Sequence, residues 1–252
     1  MRYRFAGELI AVFFMLAAMP AAGGTVSVNG DAIVFDAGSD EVNTIVVNGN
    51  GAAFDGTNGF VTGVTIDDTT TNLTAVAPCR VLTGTAICEV QGIARAIIRT
   101  GNRNDTVRLS FGGEGPLLRM IVDGGLGDDT ITGGPAGDTL DGGAGNDRID
   151  GGEGDDVING GLGDDTINGG RNDDRLFGNA GKDVINGDIG ADEIDGGIGD
   201  DTIDGGQGAD VIRGDLGGDR IASRDGFIDN INCGVGRDTA TTDGNDVLKR
   251  CE

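Results

Sequence analysis

The most informative absence in this 252-residue chain is histidine, which does not occur. Without imidazole, the chain cannot form the Ser-His or Cys-His pairs of hydrolases, the HExxH motif of metalloproteases or a histidine acid–base catalyst. Tryptophan is also absent, and Tyr3 is the single tyrosine. Only 18 residues are Lys or Arg against 42 Asp or Glu, so the formal net charge is −24. Nucleic acids and anionic membranes repel a polyanion, so neither is expected as a partner.

The first 24 residues have the composition of a secretory signal peptide. Arg2 and Arg4 precede the apolar run 9–19, and small residues follow it up to Gly24. Eleven apolar residues are too few for a membrane-spanning helix, which needs about 20. The sequence therefore predicts cleavage between Ala22 and Gly24. The expected product is secreted and extracellular, has no membrane span, and could remain associated with the cell surface.

Four cysteines follow the predicted cleavage site: Cys79, Cys88, Cys233 and Cys251. An even number in an exported chain favours disulfides over free thiols. Of the three possible pairings, the grouping along the chain favours Cys79 with Cys88 and Cys233 with Cys251. A zinc site is not expected, because the sequence has neither histidine nor a Cys-x-x-Cys motif.

Glycine is abundant, with 50 residues, and much of it lies in a nine-residue period over residues 124–222. All eleven units begin with glycine, have aspartate at the sixth position and have isoleucine or leucine at the eighth. The sixth-position aspartates are Asp129, Asp138, Asp147, Asp156, Asp165, Asp174, Asp183, Asp192, Asp201, Asp210 and Asp219. The eighth-position residues are Ile131, Leu140, Ile149, Ile158, Ile167, Leu176, Ile185, Ile194, Ile203, Ile212 and Ile221.

The unit reads Gly-Gly-x-Gly-x-Asp-x-aliphatic-x and resembles the RTX (repeats-in-toxin) nonapeptide, a calcium-binding β-roll motif. The resemblance implies an all-β fold in which each unit is one turn and one short strand. Two units would form one 18-residue coil of a right-handed parallel β-roll (a β-solenoid), and eleven units would form five and a half coils. Each eighth-position side chain should point inward and its neighbours outward, because side chains alternate along a strand.

In this family each Ca²⁺ lies between two turns on one edge, bound by sixth-position carboxylates and glycine carbonyls. The resemblance thus implies several Ca²⁺ ions, with the eleven aspartates named above as ligands. The glycines expected to contribute carbonyls are Gly125, Gly127, Gly143, Gly145, Gly152, Gly154, Gly161, Gly163, Gly197, Gly199, Gly206 and Gly208. Such hard oxygen ligands suit Ca²⁺. Residues 124–222 also carry 24 acidic and six basic side chains, so a cation is needed.

Some units depart from the consensus. Asn179, Asp188 and Asp215 replace the second glycine, and Ala136 and Asn172 replace the glycine at the fourth position. These turns keep the aspartate but are expected to bind more weakly or to accept a slightly different backbone. The fifth-position aspartates could add a ligand or face solvent; they are Asp128, Asp155, Asp164, Asp173 and Asp200.

The period divides the chain into four parts: a signal peptide at 1–24, an N-terminal β region at 25–123, the repeats at 124–222 and a C-terminal cap at 223–252. Alternating runs at 25–28, 32–35, 44–47, 61–66, 95–98 and 117–122 predict strands before the repeats. That region could form irregular coils that lead into the roll or a small separate β module. Half-repeats at Asp229, Asp238 and Asp246, with the two cysteines that bracket them, predict a disulfide-pinned cap.

The predicted core is thin, with one aliphatic side chain per nine residues. We therefore expect the repeats to be disordered without Ca²⁺ and to fold when they bind it; the alternative is an acidic linker that is always disordered. The sequence predicts an exported calcium-binding protein, not an enzyme, with a structural, adhesive or interaction role. The alternatives are a secreted RTX toxin or enzyme accessory, or a module whose N-terminal region binds a glycan, a cell-surface polysaccharide or a protein. The sequence does not indicate an oligomeric state.

Overall fold

The computed structural model describes residues 118–251 and 95–111 without a break, and seven shorter strand segments between 25 and 88. Side chains are described for residues 34–35, 95–108 and 118–251. The predicted signal peptide lies outside the described residues. All regular structure in these segments is β, so they contain no helix that is long and apolar enough to cross a membrane.

The first seven strands are β1 (Thr25–Asn29), β2 (Ala32–Asp36), β3 (Thr44–Phe54), β4 (Phe60–Asp68), β5 (Thr74–Ala75), β6 (Cys79–Leu82) and β7 (Thr85–Cys88). The next eight are β8 (Arg95–Arg99), β9 (Thr106–Phe111), β10 (Arg119–Asp123), β11 (Thr130–Thr132), β12 (Thr139–Ala144), β13 (Arg148–Glu153), β14 (Val157–Leu162) and β15 (Thr166–Arg171). The last nine are β16 (Arg175–Ala180), β17 (Val184–Ile189), β18 (Glu193–Ile198), β19 (Thr202–Asp204), β20 (Val211–Arg213), β21 (Arg220–Ser223), β22 (Asn230–Asn232), β23 (Thr239–Thr242) and β24 (Val247–Lys249).

From β8 onward, consecutive strands alternate between two parallel sheets. Sheet A contains the even-numbered strands β8–β24, and sheet B contains the odd-numbered strands β9–β23. Ile131 lies opposite Ile149 in sheet B, and Ile158 lies opposite Leu176 in sheet A, so each coil of the repeats takes 18 residues. The predicted parallel β-solenoid is confirmed. We call the turns that lead from sheet A to sheet B the AB edge, and those that lead from sheet B to sheet A the BA edge.

The core is the column of eighth-position aliphatics between the two sheets. All eleven, from Ile131 to Ile221, are buried, and most of the flanking residues at the seventh and ninth positions are exposed or half-buried. The column continues into Val107 and Val122 at one end and Ile231 at the other. The predicted inward and outward alternation is confirmed.

The solenoid has about seven turns, more than the five and a half coils that the complete repeats account for. Strand β8 pairs in parallel with β10 before the repeats, and β22 pairs with β20 and β24 after them. These coils lack the full glycine pattern but keep an inward aliphatic in register, such as Ile98 or Ile231. A parallel sheet needs that alternation and not a particular turn, so the stack extends past the motif.

Strands β12–β18 are six residues long, whereas the motif predicts three-residue strands. The additional pairing comes from the start of the next unit, where Gly143 lies opposite Gly161 and Ala144 opposite Leu162. The third position of the unit therefore belongs to the hydrogen-bonded stack as well as to the turn.

The six strands predicted before the repeats are all present. Strand β2 pairs in parallel with β8, and β3 in parallel with β9, so both sheets continue into this region. Beyond them the pairing becomes antiparallel, with β1 on β2 and β4 on β3. Cys79 lies opposite Cys88 in the β6–β7 pair, but their side chains are outside the described residues, so that disulfide stays a prediction.

The predicted disulfide between Cys233 and Cys251 is present. It joins the residue after β22 to the segment after β24, and these two strands are neighbours in sheet A. The disulfide thus closes an 18-residue segment over the last coil. Leu248, in register with Ile231, is 47% exposed there.

Candidate metal site

The sixth-position aspartates are the buried acidic groups of the solenoid. Each one ends a turn and directly precedes a strand, and all eleven have side chains no more than 2% exposed. They form one ladder along each edge, because successive units turn at opposite edges. Asp105, Asp229 and Asp238 extend the ladders beyond the complete repeats and are also buried.

One carboxylate oxygen of each ladder residue ties its coil to the preceding one. Oδ1 of Asp147 accepts a hydrogen bond from the backbone N–H of Asp129 at 2.7 Å, and Oδ1 of Asp165 accepts one from Asp147 at 2.8 Å. The same bond recurs on the BA edge, where Oδ1 of Asp174 accepts from Asp156 at 2.8 Å. These bonds fix the orientation of each carboxylate.

The second carboxylate oxygen is different. Among the described residues, Oδ2 of ten repeat aspartates is buried without a hydrogen-bond partner. These are Asp129, Asp147, Asp156, Asp165, Asp174, Asp183, Asp192, Asp201, Asp210 and Asp219. A buried polar atom without a partner costs free energy, and native proteins seldom keep one. Ten such oxygens in two rows indicate a missing partner that accepts electron pairs, either a proton or a cation.

The first-position glycines leave space for these Oδ2 oxygens. A Cβ at Gly124 would lie 2.6 Å from Oδ2 of Asp129 and 2.5 Å from the carbonyl oxygen of Gly142 in the next coil. At Gly196 the corresponding distances are 2.7 Å to Asp201 and 3.1 Å to Gly214. A carboxylate oxygen and a carbonyl oxygen of the next coil therefore border the same small space in each turn, which explains why this position carries glycine in all eleven units.

The second and fourth positions require unusual backbone angles. Gly125 and Gly127 have φ of 91° and 126°, a region that favours glycine. The replacements Asn179, Asp188 and Asn172 keep positive φ, at 72°, 69° and 78°. Asn and Asp adopt this conformation more readily than other non-glycine residues, so these turns keep the same backbone course.

Of the glycine carbonyls predicted as ligands, two from second positions already accept a backbone bond between coils. The carbonyl of Gly125 accepts from Ala144 N–H at 2.8 Å, and that of Gly197 accepts from Leu216 N–H at 2.8 Å. A carbonyl oxygen has a second lone pair, so this bond leaves room for a cation. The glycine assignments stay predictions.

The turn 133–138 differs from the other repeat turns. Both oxygens of Asp138 are hydrogen-bonded, Oδ1 to Met120 N–H at 2.7 Å and Oδ2 to Gly134 N–H at 2.8 Å. Pro135 and Ala136 occupy the positions where other turns have a variable residue and glycine, and neither Gly134 nor Ala136 has positive φ. The carboxylate of this turn is already satisfied by its own backbone.

Burial raises the pKa of the ladder carboxylates. It raises the pKa of Asp156 to about 8 and that of Asp129, Asp165, Asp174, Asp192 and Asp210 to about 7, with neighbouring carboxylates adding to the effect and the Oδ1 hydrogen bonds opposing it. The pKa of Asp138 is raised to about 6, because two backbone hydrogen bonds and the charge of Arg119 oppose burial. A folded ladder without a cation therefore holds protons near neutral pH.

The fifth-position aspartates are exposed, but four of the five do not stand free in solvent. Oδ1 of Asp128 accepts from Asn146 N–H at 2.9 Å, and Oδ1 of Asp164 accepts from Lys182 N–H at 2.8 Å. Asp173 and Asp200 make the same bond to the next coil. These side chains form an outer polar row beside the buried ladder, and they do not face the first-position glycines.

The residues of the turns fit a calcium ion. Within the described part of the chain, no three acidic side chains converge on one point, so a bound cation must take backbone oxygens besides carboxylates. The unpartnered Oδ2 atoms and the carbonyls that face them are both hard oxygen ligands, in the mixture and spacing that Ca²⁺ accepts. The geometry provides a reason for the fit at every repeat turn except 133–138.

A comparison with protein families agrees with this geometry. The model of the RTX calcium-binding nonapeptide repeat matches four times, at residues 123–158, 132–167, 159–194 and 186–221. Neither a curated protein nor a solved structure matched the chain.

Proposed function

We propose that this chain, whose residues 123–221 are RTX calcium-binding nonapeptide repeats, is an exported protein whose solenoid folds when its turns bind Ca²⁺. We further propose that its role is structural, adhesive or interaction-based and not catalytic. The observation that carries the proposal is the set of ten buried Oδ2 oxygens without hydrogen-bond partners in residues 118–251.

The residues that would hold the ions are the ladder aspartates with free Oδ2 atoms, together with backbone carbonyls of the adjacent turns. Bound Ca²⁺ would supply positive charge to both edges and compensate carboxylates that burial otherwise forces to keep protons. Oδ1 of each aspartate holds the carboxylate on the backbone of the preceding coil, as between Asp147 and Asp129. The same side chain thus links the ion site to the stacking of the coils.

Folding coupled to calcium follows from the thin core. Each repeat buries one aliphatic side chain, while the same nine residues bury one carboxylate. Without a cation, the chain must bury a charge or take up a proton in every turn, and both cost free energy at neutral pH. The binding free energy of Ca²⁺ then contributes directly to folding.

Export is supported by the composition of residues 1–24 and by the Cys233–Cys251 disulfide, which suits an oxidising compartment. A chain that folds only with Ca²⁺ would cross the membrane unfolded where calcium is scarce and fold outside where it is abundant. A non-catalytic role is supported by the absence of histidine from the sequence and of a Gly-x-Ser-x-Gly motif. A cell-surface or polysaccharide partner would suit such a role.

The first test is far-UV circular dichroism of residues 25–252, titrated with Ca²⁺, then treated with a chelator, with Mg²⁺ as the control ion. We expect a reversible, Ca²⁺-specific gain of β signal, because Mg²⁺ prefers a smaller octahedral site and keeps its waters. A β spectrum that is unchanged by calcium and by the chelator would contradict the proposal. Circular dichroism suits this chain better than fluorescence, because residues 25–252 contain neither Trp nor Tyr.

A pair of neighbouring substitutions tests the ligand assignment. Asp165→Asn removes a carboxylate with a free Oδ2, while Asp164→Asn removes the same charge from the exposed outer row one residue earlier. We expect the first to raise the calcium concentration at the folding midpoint about five- to tenfold and the second to change it less than about twofold. Equal effects would show that net charge, and not the buried ladder, governs folding.

A further inference from the structure

The AB edge carries a continuous row of apolar side chains on its surface. The third positions of its turns are all aliphatic, and neighbouring coils pair them directly with one another. We call this set the apolar row. It consists of Leu126, Ala144, Leu162, Ala180, Ile198, Leu216 and Val235. Its five larger side chains are 50–63% exposed.

The BA edge has no such row within the described residues. Its third positions are Pro135, Glu153, Arg171, Ile189 and Gln207. Both edges are built from the same nonapeptide, and the third position contributes to neither the core nor the ladders. The motif therefore does not explain why one edge is apolar at every coil. A contiguous exposed apolar surface on a soluble protein indicates a binding site.

The apolar row has acidic margins. On the side of sheet A the ninth positions bring Asp123, Asp141 and Asp195, and on the side of sheet B the fifth positions bring Asp128, Asp164 and Asp200. The basic groups in these margins already have partners. Lys182 Nζ lies 2.8 Å from Asp200, and Arg213 lies 2.9 Å from Glu193. A partner should therefore combine an apolar stripe with Lys or Arg on both sides of it.

Width and charge argue against a second copy of this chain as the occupant. The row is one side chain wide, while stable dimers bury about 800 Å² on each partner. Two copies would also bring their acidic margins together, which costs free energy. A slender basic segment meets neither obstacle.

The spacing of the row favours a helical segment. Its side chains are about 4.8 Å apart, the distance between neighbouring strands, so seven of them span about 29 Å. The apolar stripe of an amphipathic helix presents a side chain about every 5.2 Å along the axis, whereas alternate residues of a strand are about 6.6 Å apart. Ala144 and Ala180 lie between larger side chains and leave notches that helix side chains can fill. A shallow groove of about 340 Å³ beside Ile198, Leu216 and Val235 continues this surface.

We propose that the apolar row of the AB edge binds a basic amphipathic helix of a partner protein. The contact joins the aliphatic row to the helix stripe, and the acidic margins pair with Lys or Arg on either side of that stripe. The proposal requires the folded solenoid but not a particular mechanism of calcium binding, so it can fail independently of the proposed function.

The test uses residues 25–252 in calcium, with folding checked by circular dichroism, and isothermal titration with synthetic peptides of about 20 residues. The probe peptide has Leu at helical spacing and Lys beside the stripe. Its controls are a scrambled peptide of the same composition and a version with Glu in place of Lys. We expect the probe to bind at least tenfold more tightly than either control.

Two triple variants locate the contact. Leu162→Asn/Ile198→Asn/Leu216→Asn removes three members of the apolar row, and Val184→Asn/Ile189→Asn/Val211→Asn removes three exposed aliphatics elsewhere without a change of charge. We expect the first to weaken probe binding at least tenfold and the second less than twofold. Equal losses, equal binding of the scrambled peptide, or equal binding of the Glu peptide would overturn the proposal. Row-dependent self-association in sedimentation would instead identify a second copy, and row-dependent binding to neutral phosphatidylcholine vesicles would identify a lipid surface.

Discussion

The two edges of the solenoid are made from the same nonapeptide but differ in two respects. On the AB edge, all six repeat aspartates within the described residues have an Oδ2 without a hydrogen-bond partner, and every third position is aliphatic. On the BA edge, the first of the five repeat turns is closed by the Gly134–Asp138 bond, and the third positions are mixed. After the repeats, Asp229 on the BA edge bonds through Oδ2 to the Ser223 hydroxyl.

The difference separates what the repeat requires from what this chain has added. The first, sixth and eighth positions are constant on both edges because they provide the space, the carboxylate and the core. The third position faces outward and pairs only with the coil above and below, so it can follow a period of 18 residues instead of nine. A feature with the longer period belongs to one edge and is therefore a property of the surface.

The largest effect should come from filling the space at a first-position glycine of the AB edge. Gly196→Ala places a Cβ 2.7 Å from Oδ2 of Asp201 and 3.1 Å from the Gly214 carbonyl. We expect it to raise the calcium midpoint of folding by circular dichroism more than about tenfold, because both oxygens must shift. Gly244→Ala, where a Cβ meets nothing within 4 Å, is the control and should change the midpoint less than about twofold. A harmless Gly196→Ala would mean that the space beside these two oxygens does not explain the constant glycine.

A smaller effect should distinguish the open and closed turns of the BA edge. Asp156→Asn removes a free Oδ2 and should raise the calcium midpoint about fivefold. Asp138→Asn should change that midpoint less than about twofold, because both oxygens of Asp138 are engaged by backbone N–H groups. Calcium titration of both variants under the same conditions gives the comparison. If Asp138→Asn were as damaging as Asp156→Asn, turn 133–138 would be a binding turn after all.

The pH should affect the metal-free chain in a definite direction. The pKa of the open-turn carboxylates rises from 3.8 to about 7 or 8 on folding, mainly through burial. The folded state therefore binds more protons than the unfolded state between about pH 4 and pH 8. Metal-free stability should be greatest at the acidic end and fall as pH rises through the folded pKa values. Far-UV circular dichroism in calcium-free buffer should show more β signal at about pH 5 than at about pH 8, and the opposite trend would contradict burial as the cause.

The smallest effect is a gain. Pro135→Leu with Ala136→Gly gives the turn 133–138 the residues of a complete repeat. We expect the turn to open, the Asp138 Oδ2 to lose its bond to Gly134, and the number of bound Ca²⁺ ions to increase. Native mass spectrometry of the variant beside the unchanged chain measures that number. An unchanged count would mean that its place at the start of the ladder, and not its sequence, closes this turn.

The period of the sequence was sufficient to predict the core, the parallel coils and both rows of aspartates. Ile131 and Asp129 recur at fixed offsets, and a strand with period two leaves one inward position in each triplet. The Cys233–Cys251 bond could be predicted because its two residues bracket one tail. The strands before the repeats could be located by alternation, but their partners could not, since pairing depends on contacts distant in sequence.

Two features of the site were not predicted. The sequence marked turn 133–138 through Ala136, but it could not show that the freed Gly134 N–H would bond to Asp138. The apolar row is visible in the sequence as Leu126, Leu162 and Ile198 once third positions are read every 18 residues. It was missed because a nine-residue reading mixes the two edges and averages aliphatic with polar residues.

The most direct test of the central assignment is a crystal structure of the chain with calcium, with the ions located by anomalous scattering. We expect peaks beside the Oδ2 oxygens of the ten open turns on both edges, bordered by backbone carbonyls, and no peak beside Asp138. Peaks at the outer row of Asp128, Asp164 and Asp200, or a folded ladder with no peak at any open turn, would contradict it.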